Sequence, residues 1–191
     1  MEAKTTVRYR ARRLREALSY DTRMAMDRQL LTVCKSEIDW PVYRRVMIFL
    51  PIERLREIDT WPLVLWIWKK PRTKLYVPQI IGGTIQAVQI TSHSTFVTNK
   101  WGIPEPADGA VRLEHERLDL IIVPLLGFDS RGHRVGYGHG YFDKFFLTHR
   151  YATLIGLGYE SLFVPTEIAN EPHDVPLHSV ITEQRIHRFT Q

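Results

Sequence analysis

Two periods of apolar residues run along this chain. Val7, Ala11, Leu14 and Leu18 recur at helical spacing while Lys4, Arg8, Arg12 and Arg15 occupy another face, which predicts a helix over 3–18. Ser19 or Asp21 can cap a second helix reaching about Glu37 and carrying Met26, Leu30, Val33 and Cys34. The pattern then changes to short, β-rich runs at 46–50, 74–78, 84–90, 119–124, 153–158 and 179–182. Pro51 closes the first of these, and Gly82-Gly83 predicts a hairpin between the second and third. Trp61 to Lys69 reads as a helix, with Asp59 or Thr60 as cap and Pro62 in its first turn. Tyr141 to Arg150 reads as another, pairing Tyr141 with Phe145 and Phe142 with Phe146 at i,i+4. Asn99 to Pro106, with prolines at 104 and 106, is expected to be a loop. Strands alternating with helices predict an α/β fold, a single three-layer domain over 1–191. Its sheet is expected to be open and mainly parallel, with helices on both faces.

Composition narrows this picture little. A chain of 191 residues with 44% hydrophobic and 25% charged content is that of a globular protein. No apolar run approaches the roughly 18 residues of a membrane span. The charged N-terminus has no apolar segment behind it, so no secretory signal is expected. A lone cysteine, Cys34, suits a reducing compartment, and the expected location is the cytoplasm. Cys34 lies in an amphipathic pattern and reads as packing rather than as a nucleophile. The net charge of +5 favours anionic ligands without naming one.

The chemistry concentrates in Gly132-His133-Arg134-Val135-Gly136-Tyr137-Gly138-His139-Gly140-Tyr141-Phe142-Asp143. Alternate glycines at 136, 138 and 140 let the backbone turn tightly and approach a ligand. They follow a predicted buried strand and open a predicted helix, whose N-terminus is a ready anion site. The stretch matches neither common phosphate loop: G-x-x-x-x-G-K-[ST] is absent, and G-x-G-x-x-G fails at Tyr141. Asp143 would repel a polyphosphate unless a divalent cation lay between them, and Mg²⁺ is commonly held by carboxylates plus substrate phosphates. A magnesium–nucleotide site is therefore expected.

F-D-x-x-G-x-R-V-G-Y-G-x-G-Y-F-D, from Phe128 to Asp143, resembles the signature of the 5-formyltetrahydrofolate cyclo-ligase family, usually R-L-G-x-G-x-G-Y-Y-D. Val135 and Phe142 are mild departures. Lys4-x-x-Val7-Arg8 is similar to the family's K-x-x-L-R, and Phe49-Leu50-Pro51 with Glu57-Ile58-Asp59-Thr60 is similar to its F/Y-L…E-[IV]-x-T. Asn99-Lys100-Trp101-Gly102-Ile103-Pro104-Glu105-Pro106 resembles W/F-G-I-x-E-P, and Pro172 to His178 resembles P-x-H-D-x-P-[VL]-D, with His178 in place of the final acid. The resemblance runs from Lys4 to Glu183.

It implies an ATP- and Mg²⁺-dependent ligase that closes 5-formyltetrahydrofolate to 5,10-methenyltetrahydrofolate with release of ADP and phosphate. The implied ATP contacts are Lys4, Arg8, Arg134, Val135, Gly136, Tyr137, Gly138, His139, Gly140, Tyr141 and Phe142. The implied folate contacts are Leu50, Glu57, Tyr137, Gly138, His139, Gly140 and Tyr141. Arg134, Tyr141 and Asp143 are implied as catalytic, Asp143 and secondarily Asp174 as ligands to Mg²⁺. The family also packs the N-terminal helices, about 3–37, against the nucleotide site. A carboxylate at Glu57 suits a pterin, which presents adjacent N–H donors that one carboxylate can accept together.

Two other readings compete. The basic N-terminal helix could bind nucleic acid, but it lacks interleaved aromatics beyond Tyr9. A nucleotide-binding relative without catalysis is expected to have lost Glu57, Asp143 or the glycines, and all are present. The expected partners are thus small molecules, neither nucleic acid nor membrane, with the chain acting as a monomer.

Overall fold

A computed structural model describes residues 1–99, 101–107, 110–113 and 117–190. In chain order the elements are α1 (Lys4–Ala17), α2 (Tyr20–Glu37), β1 (Arg45–Ile48), α3 (Trp61–Ile67), β2 (Lys74–Ile81), β3 (Thr84–Ile90), β4 (Phe96–Thr98), β5 (Pro104–Pro106), β6 (Leu120–Pro124), β7 (Gly127–Asp129), β8 (Arg134–Val135), α4 (Tyr141–Thr148), β9 (Thr153–Leu157), β10 (Phe163–Val164), β11 (Ser179–Ile181) and β12 (Ile186–Arg188). A large sheet takes the order β12-β11-β9-β6-β1-β2-β3. Its interior pairings, β11 with β9, β9 with β6, β6 with β1 and β1 with β2, are parallel. Both edges are antiparallel: β12 on β11 and β3 on β2. The expected α/β architecture, a mainly parallel sheet flanked by helices, is what the chain forms.

Val46, Met47 and Ile48 of β1 and Leu120 to Val123 of β6 are fully buried, as strands covered on both faces must be. The step from β1 to β2 runs towards one edge of the sheet, and the step from β6 to β9 runs towards the other. Right-handed crossovers therefore carry α3 and α4 to opposite faces. The direction reverses between β1 and β6, so the crevice at their carboxyl ends is the natural ligand position. Glu57 follows β1 and the glycine stretch follows β6, which brings both to that crevice.

Local chemistry explains the boundaries. Ser19 Oγ accepts from Thr22 N at 3.1 Å and starts α2. At α3 it is Asp59 that accepts from the first helical N–H, on Trp61, at 3.0 Å, while Thr60 Oγ1 donates to Phe49 O at 2.7 Å. Gly82 and Gly83 both have positive φ, 59° and 78°, and close the β2–β3 hairpin as expected. Cys34 is buried among α2 core residues, and burial pushes its thiol up to about 12, the inert state expected.

Three features differ from the sequence reading. The expected loop at 99–106 contains β5, paired antiparallel with β4. Asn99 N donates to Ile103 O and Ala107 N to Thr95 O, so Pro104 and Pro106 fall at the alternate positions where no N–H is needed. Lys100 of that stretch lies outside the described residues. Past the expected strand at 119–124, which the chain forms as Leu120–Pro124, it continues into an unexpected second sheet of order β10-β7-β8. These pieces are two or three residues long and show no periodicity. Finally, the chain adds β12 beyond the last expected strand.

Candidate active site

The second sheet aims the glycine stretch. Asp129, fully buried at the end of β7, accepts from the N–H groups of Arg131, His133 and Ile168 at 2.9–3.0 Å and so fixes the turn into β8. Val135 O accepts from Leu126 N at 2.7 Å, and the Val135 side chain is buried in the core. Val135 thus holds the strand, and the free loop begins at Gly136. Gly138 and Gly140 have φ of 102° and 66°, a region that L side chains avoid. Gly140 is the N-cap of α4.

Helix α1 lies over this loop. Arg8 Nε donates to Gly136 O at 2.8 Å, and a Cβ built on Gly138 would stand 3.4 Å from the Arg8 guanidinium. One turn earlier, Lys4 Nζ donates to Asp174 Oδ2 at 2.6 Å. Burial alone would raise the Asp174 carboxyl, but the Lys4 hydrogen bond, the Glu171 N–H and the Lys4 charge hold it below its ordinary value. Glu171, His173 and Asp174 bring one ligand atom each to within 4.8 Å of one another.

Arg134 is not a solvent-facing cation at the mouth of the loop. It is 8% exposed, packs over the Phe146 ring at 4.6 Å, and donates to Asp143 Oδ1 at 3.0 Å and Val175 O at 2.9 Å. Val175 N in turn donates to Asp143 Oδ1 at 3.3 Å. The closed set of Arg134, Asp143 and the Val175 backbone sets Asp143 beside the segment bearing Asp174. Both of these hydrogen bonds fall on Oδ1. Burial lowers the Arg134 guanidinium below its ordinary value, with Asp143 acting in the opposite direction.

On the other side of the loop stands Glu57, 3% exposed. Its Oε2 accepts from Ile52 N at 2.7 Å, and its Oε1 accepts a short hydrogen bond from the Tyr137 hydroxyl. Burial pushes the Glu57 carboxyl up, while Tyr137, the Ile52 N–H and the Arg15 charge pull it back. Leu50 is buried just past β1. Tyr141 and Phe142 are half-buried; Tyr141 stacks with exposed His139 at 5.6 Å, and Phe142 meets Phe146 at 5.7 Å.

The model of the 5-formyltetrahydrofolate cyclo-ligase family matches residues 1–183. The chain belongs to this family. The 5-formyltetrahydrofolate cyclo-ligase of Escherichia coli (strain K12) is 27% identical over 92% of this chain and 97% of its own length. That of Mus musculus is 28% identical over 95% and 94%. The solved 5,10-methenyltetrahydrofolate synthetase of Aquifex aeolicus superposes with a TM-score of 0.81 at 26% identity, covering 98% of this chain and 93% of that one. Cyclo-ligases and synthetases are the company this chain keeps, and the type of enzyme is a ligase.

Within the family's motif, the fold brings Lys4, Arg8, Arg134, Asp143, Asp174, Glu57 and the loop 136–141 to one crevice. Val135 and Leu50 sit in the core behind it. Sequence reasoning passed over Arg15, which is 4% exposed and donates to the Tyr137 hydroxyl at 3.1 Å. The available signal was its place on the Lys4–Arg8 stripe of α1, beside the apolar stripe. It also passed over Arg56, which has φ of 49° and whose Nη1 donates to Glu16 O at 2.8 Å and Leu18 O at 3.2 Å, closing the end of α1 next to Glu57.

Proposed function

We propose that this chain is an ATP- and Mg²⁺-dependent 5-formyltetrahydrofolate cyclo-ligase producing 5,10-methenyltetrahydrofolate, ADP and phosphate. One observation carries the reading beyond the family name. Adjacent residues of a single loop face two different chemistries: Gly136 meets the Arg8 cation, and Tyr137 meets the buried Glu57 carboxylate. A loop between a phosphate-seeking side and a pterin-seeking side suits transfer of a phosphoryl group from one ligand to the other.

The formyl carbonyl of the substrate is a poor electrophile with a poor leaving group. Moving the γ-phosphoryl of ATP to its oxygen yields an iminium-like carbon bearing phosphate. N10 attacks that carbon and gives its proton to solvent, the C–O bond breaks, and phosphate leaves. Phosphoryl transfer is largely positioning and charge stabilisation. Lys4 and Arg8 supply positive charge from α1, and the N–H groups around Gly136 to Gly140 face the phosphates. Glu57 accepts the pterin N–H pair and fixes the folate. Tyr141 stands beside the formyl group, and no nucleophilic side chain is required.

Asp143 is joined to the Asp174 segment through the Val175 N–H, and Asp174 brings a ligand atom to within 4.8 Å of those of Glu171 and His173; carboxylate oxygens of this kind fit a hard divalent cation. Mg²⁺ held by these carboxylates would neutralise phosphate charge. Arg134 orients Asp143 for that task. Neither reading with a macromolecular partner gains support from the crevice. The described residues contain no helix long and apolar enough to cross a membrane. The cytoplasm and a monomeric state remain part of the proposal.

The test is direct: mix protein, 5-formyltetrahydrofolate, Mg²⁺ and ATP, and follow the methenyl chromophore. Absorbance that grows only when both ATP and Mg²⁺ are present is expected; a chromophore that fails to form with all components would remove the reading.

A further inference from the structure

Arg15 is a buried cation that the reaction as described does not use. Its Nη2 donates to Leu125 O at 2.9 Å, and its Nη1 reaches the Tyr137 hydroxyl at 3.1 Å and Leu55 O at 3.5 Å. Among the described residues its Nε, also buried, has no hydrogen-bond partner. Burying a charge costs several kcal/mol unless an opposite charge compensates it. The partners here are two carbonyls and a phenol, all neutral. The anion that compensates is Glu57, one hydroxyl away, because Tyr137 donates to Glu57 while accepting from Arg15.

The surroundings of Glu57 leave few other candidates. The glycine stretch contributes the Tyr137 phenol, the segment after β1 contributes the Ile52 N–H, and α1 contributes Arg15. From α2, Arg23 donates to the Glu57 backbone oxygen at 3.2 Å rather than to the carboxylate, and lies 3.8 Å from Asp27. Asp27 itself is satisfied by Tyr159 and the Asp59 N–H.

We infer that Arg15 is a positioning residue which, through Tyr137, compensates and orients the Glu57 carboxylate and so maintains folate affinity. The inference rests on the proposed role of Glu57 in binding the pterin. Burial drives Glu57 towards its protonated form, and a protonated carboxyl offers one acceptor oxygen and one donor to a ligand that needs two acceptors. Removing the Arg15 charge takes away one of the influences holding the proton off. The folded carboxyl then titrates at higher pH, so affinity is lost from the acid side and returns as pH rises. A purely structural role would weaken binding equally at every pH.

The experiment is a folate titration of wild type, Arg15→Gln, Arg15→Lys, Tyr137→Phe and Glu57→Gln from about pH 6 to 9, with ATP affinity measured separately. Arg15→Gln is expected to bind folate severalfold more weakly at the acid end and to approach wild type at the alkaline end. Arg15→Lys should lie between them, and ATP affinity should be unchanged. Tyr137→Phe breaks the path from Arg15 to Glu57 and should show the same slope, which serves as the test if Arg15→Gln does not fold. A wild-type pH profile in either of the two, or a uniform loss across pH, would overturn the role of Arg15. Glu57→Gln should be weak and flat. Wild-type folate binding in Glu57→Gln would instead remove the role of Glu57, a separate failure.

Discussion

Lys4 Nζ and Asp174 Oδ2 stand 2.6 Å apart, joining the first residue of α1 to a loop 170 positions later. The cation proposed for ATP thus shares its charge with a carboxylate. In the absence of Mg²⁺, Asp174→Asn should release Lys4 and tighten ATP binding, whereas Lys4→Met should weaken it. A charge-assisted hydrogen bond to phosphate contributes about 1.5–3 kcal/mol, which is about 10- to 150-fold. Calorimetric titration of both variants checks the two signs; weaker Mg²⁺-free binding in Asp174→Asn would contradict the competition.

Asp143→Asn should lower turnover by more than about tenfold, one decade for each 1.4 kcal/mol of lost stabilisation, with partial recovery at high Mg²⁺. It should also lower the melting temperature, because the 5%-exposed Arg134 side chain loses its anionic partner. A hydrogen bond to a charged group contributes about 1.5–3 kcal/mol. Arg134→Ala is expected to reproduce both effects if its task is to hold Asp143. Turnover against Mg²⁺ concentration, together with thermal melts, separates these contributions. An Arg134→Ala protein that loses ATP affinity yet keeps the wild-type Mg²⁺ optimum would return Arg134 to direct phosphate contact.

Glu57→Gln should lose folate affinity while binding ATP alone as wild type does. The amide turns one acceptor into a donor facing the pterin, and it also disturbs the Tyr137 and Ile52 hydrogen bonds. Separate titrations with each ligand suffice, and equal losses for both would place Glu57 outside the folate half.

The glycines should not respond alike. A Cβ on Gly136 meets nothing within 4 Å, so Gly136→Ala should keep the wild-type melting temperature and weaken ATP by narrowing the approach to the loop. Gly138→Ala forces a methyl group into a backbone with φ of 102°, in ordinary contact with the Arg8 guanidinium at 3.4 Å. It should melt lower, by about 1 kcal/mol or more of strain. Melts and ATP titrations of the two variants provide the comparison, and an unchanged ATP affinity in Gly136→Ala would mean the phosphates lie elsewhere.

A pH effect far from the crevice checks the fold. Burial alone would raise the Glu160 carboxyl, but hydrogen bonds from Arg185, His187 and Thr182 hold it below its ordinary value of 4.5. Its contribution to stability is therefore full above that ordinary value and is lost as pH falls through the lower folded value. The melting temperature of wild type should fall more steeply over that acid range than that of Glu160→Gln; parallel curves would show that the cluster contributes nothing.

Much of this was legible because it is periodic. The β1 and β6 cores, the α1 and α2 stripes and the Gly82-Gly83 hairpin each follow from spacing within one segment. The second sheet was not legible, since strands as short as Arg134–Val135 carry no period and exist only through the turn that Asp129 ties. In the crevice, residue types and motif order pointed to Lys4, Arg8, Glu57 and Asp143, but not to what each would touch. Arg134 read as an ATP contact, and nothing local reveals that Val175, 41 positions on, receives its guanidinium. Arg15 read as one more surface arginine because burial of a charge is settled by Tyr137 and Leu125, which come from remote segments.

The tie between the two ends of the chain also bears on how the protein is made. Glu2 N donates to Glu167 O at 2.7 Å and Ala169 N to Glu2 O at 2.9 Å, just before the loop that meets Lys4. α1 is made before the segments it docks on, and of these the 167–174 stretch is made later than the glycine loop. Most of the sheet can pair while the nucleotide half of the crevice still lacks one wall. A chain cut before residue 167 would therefore carry Glu57, the glycine loop and the Arg8 contact on Gly136 without the Glu2 and Lys4 contacts that fasten the start of α1.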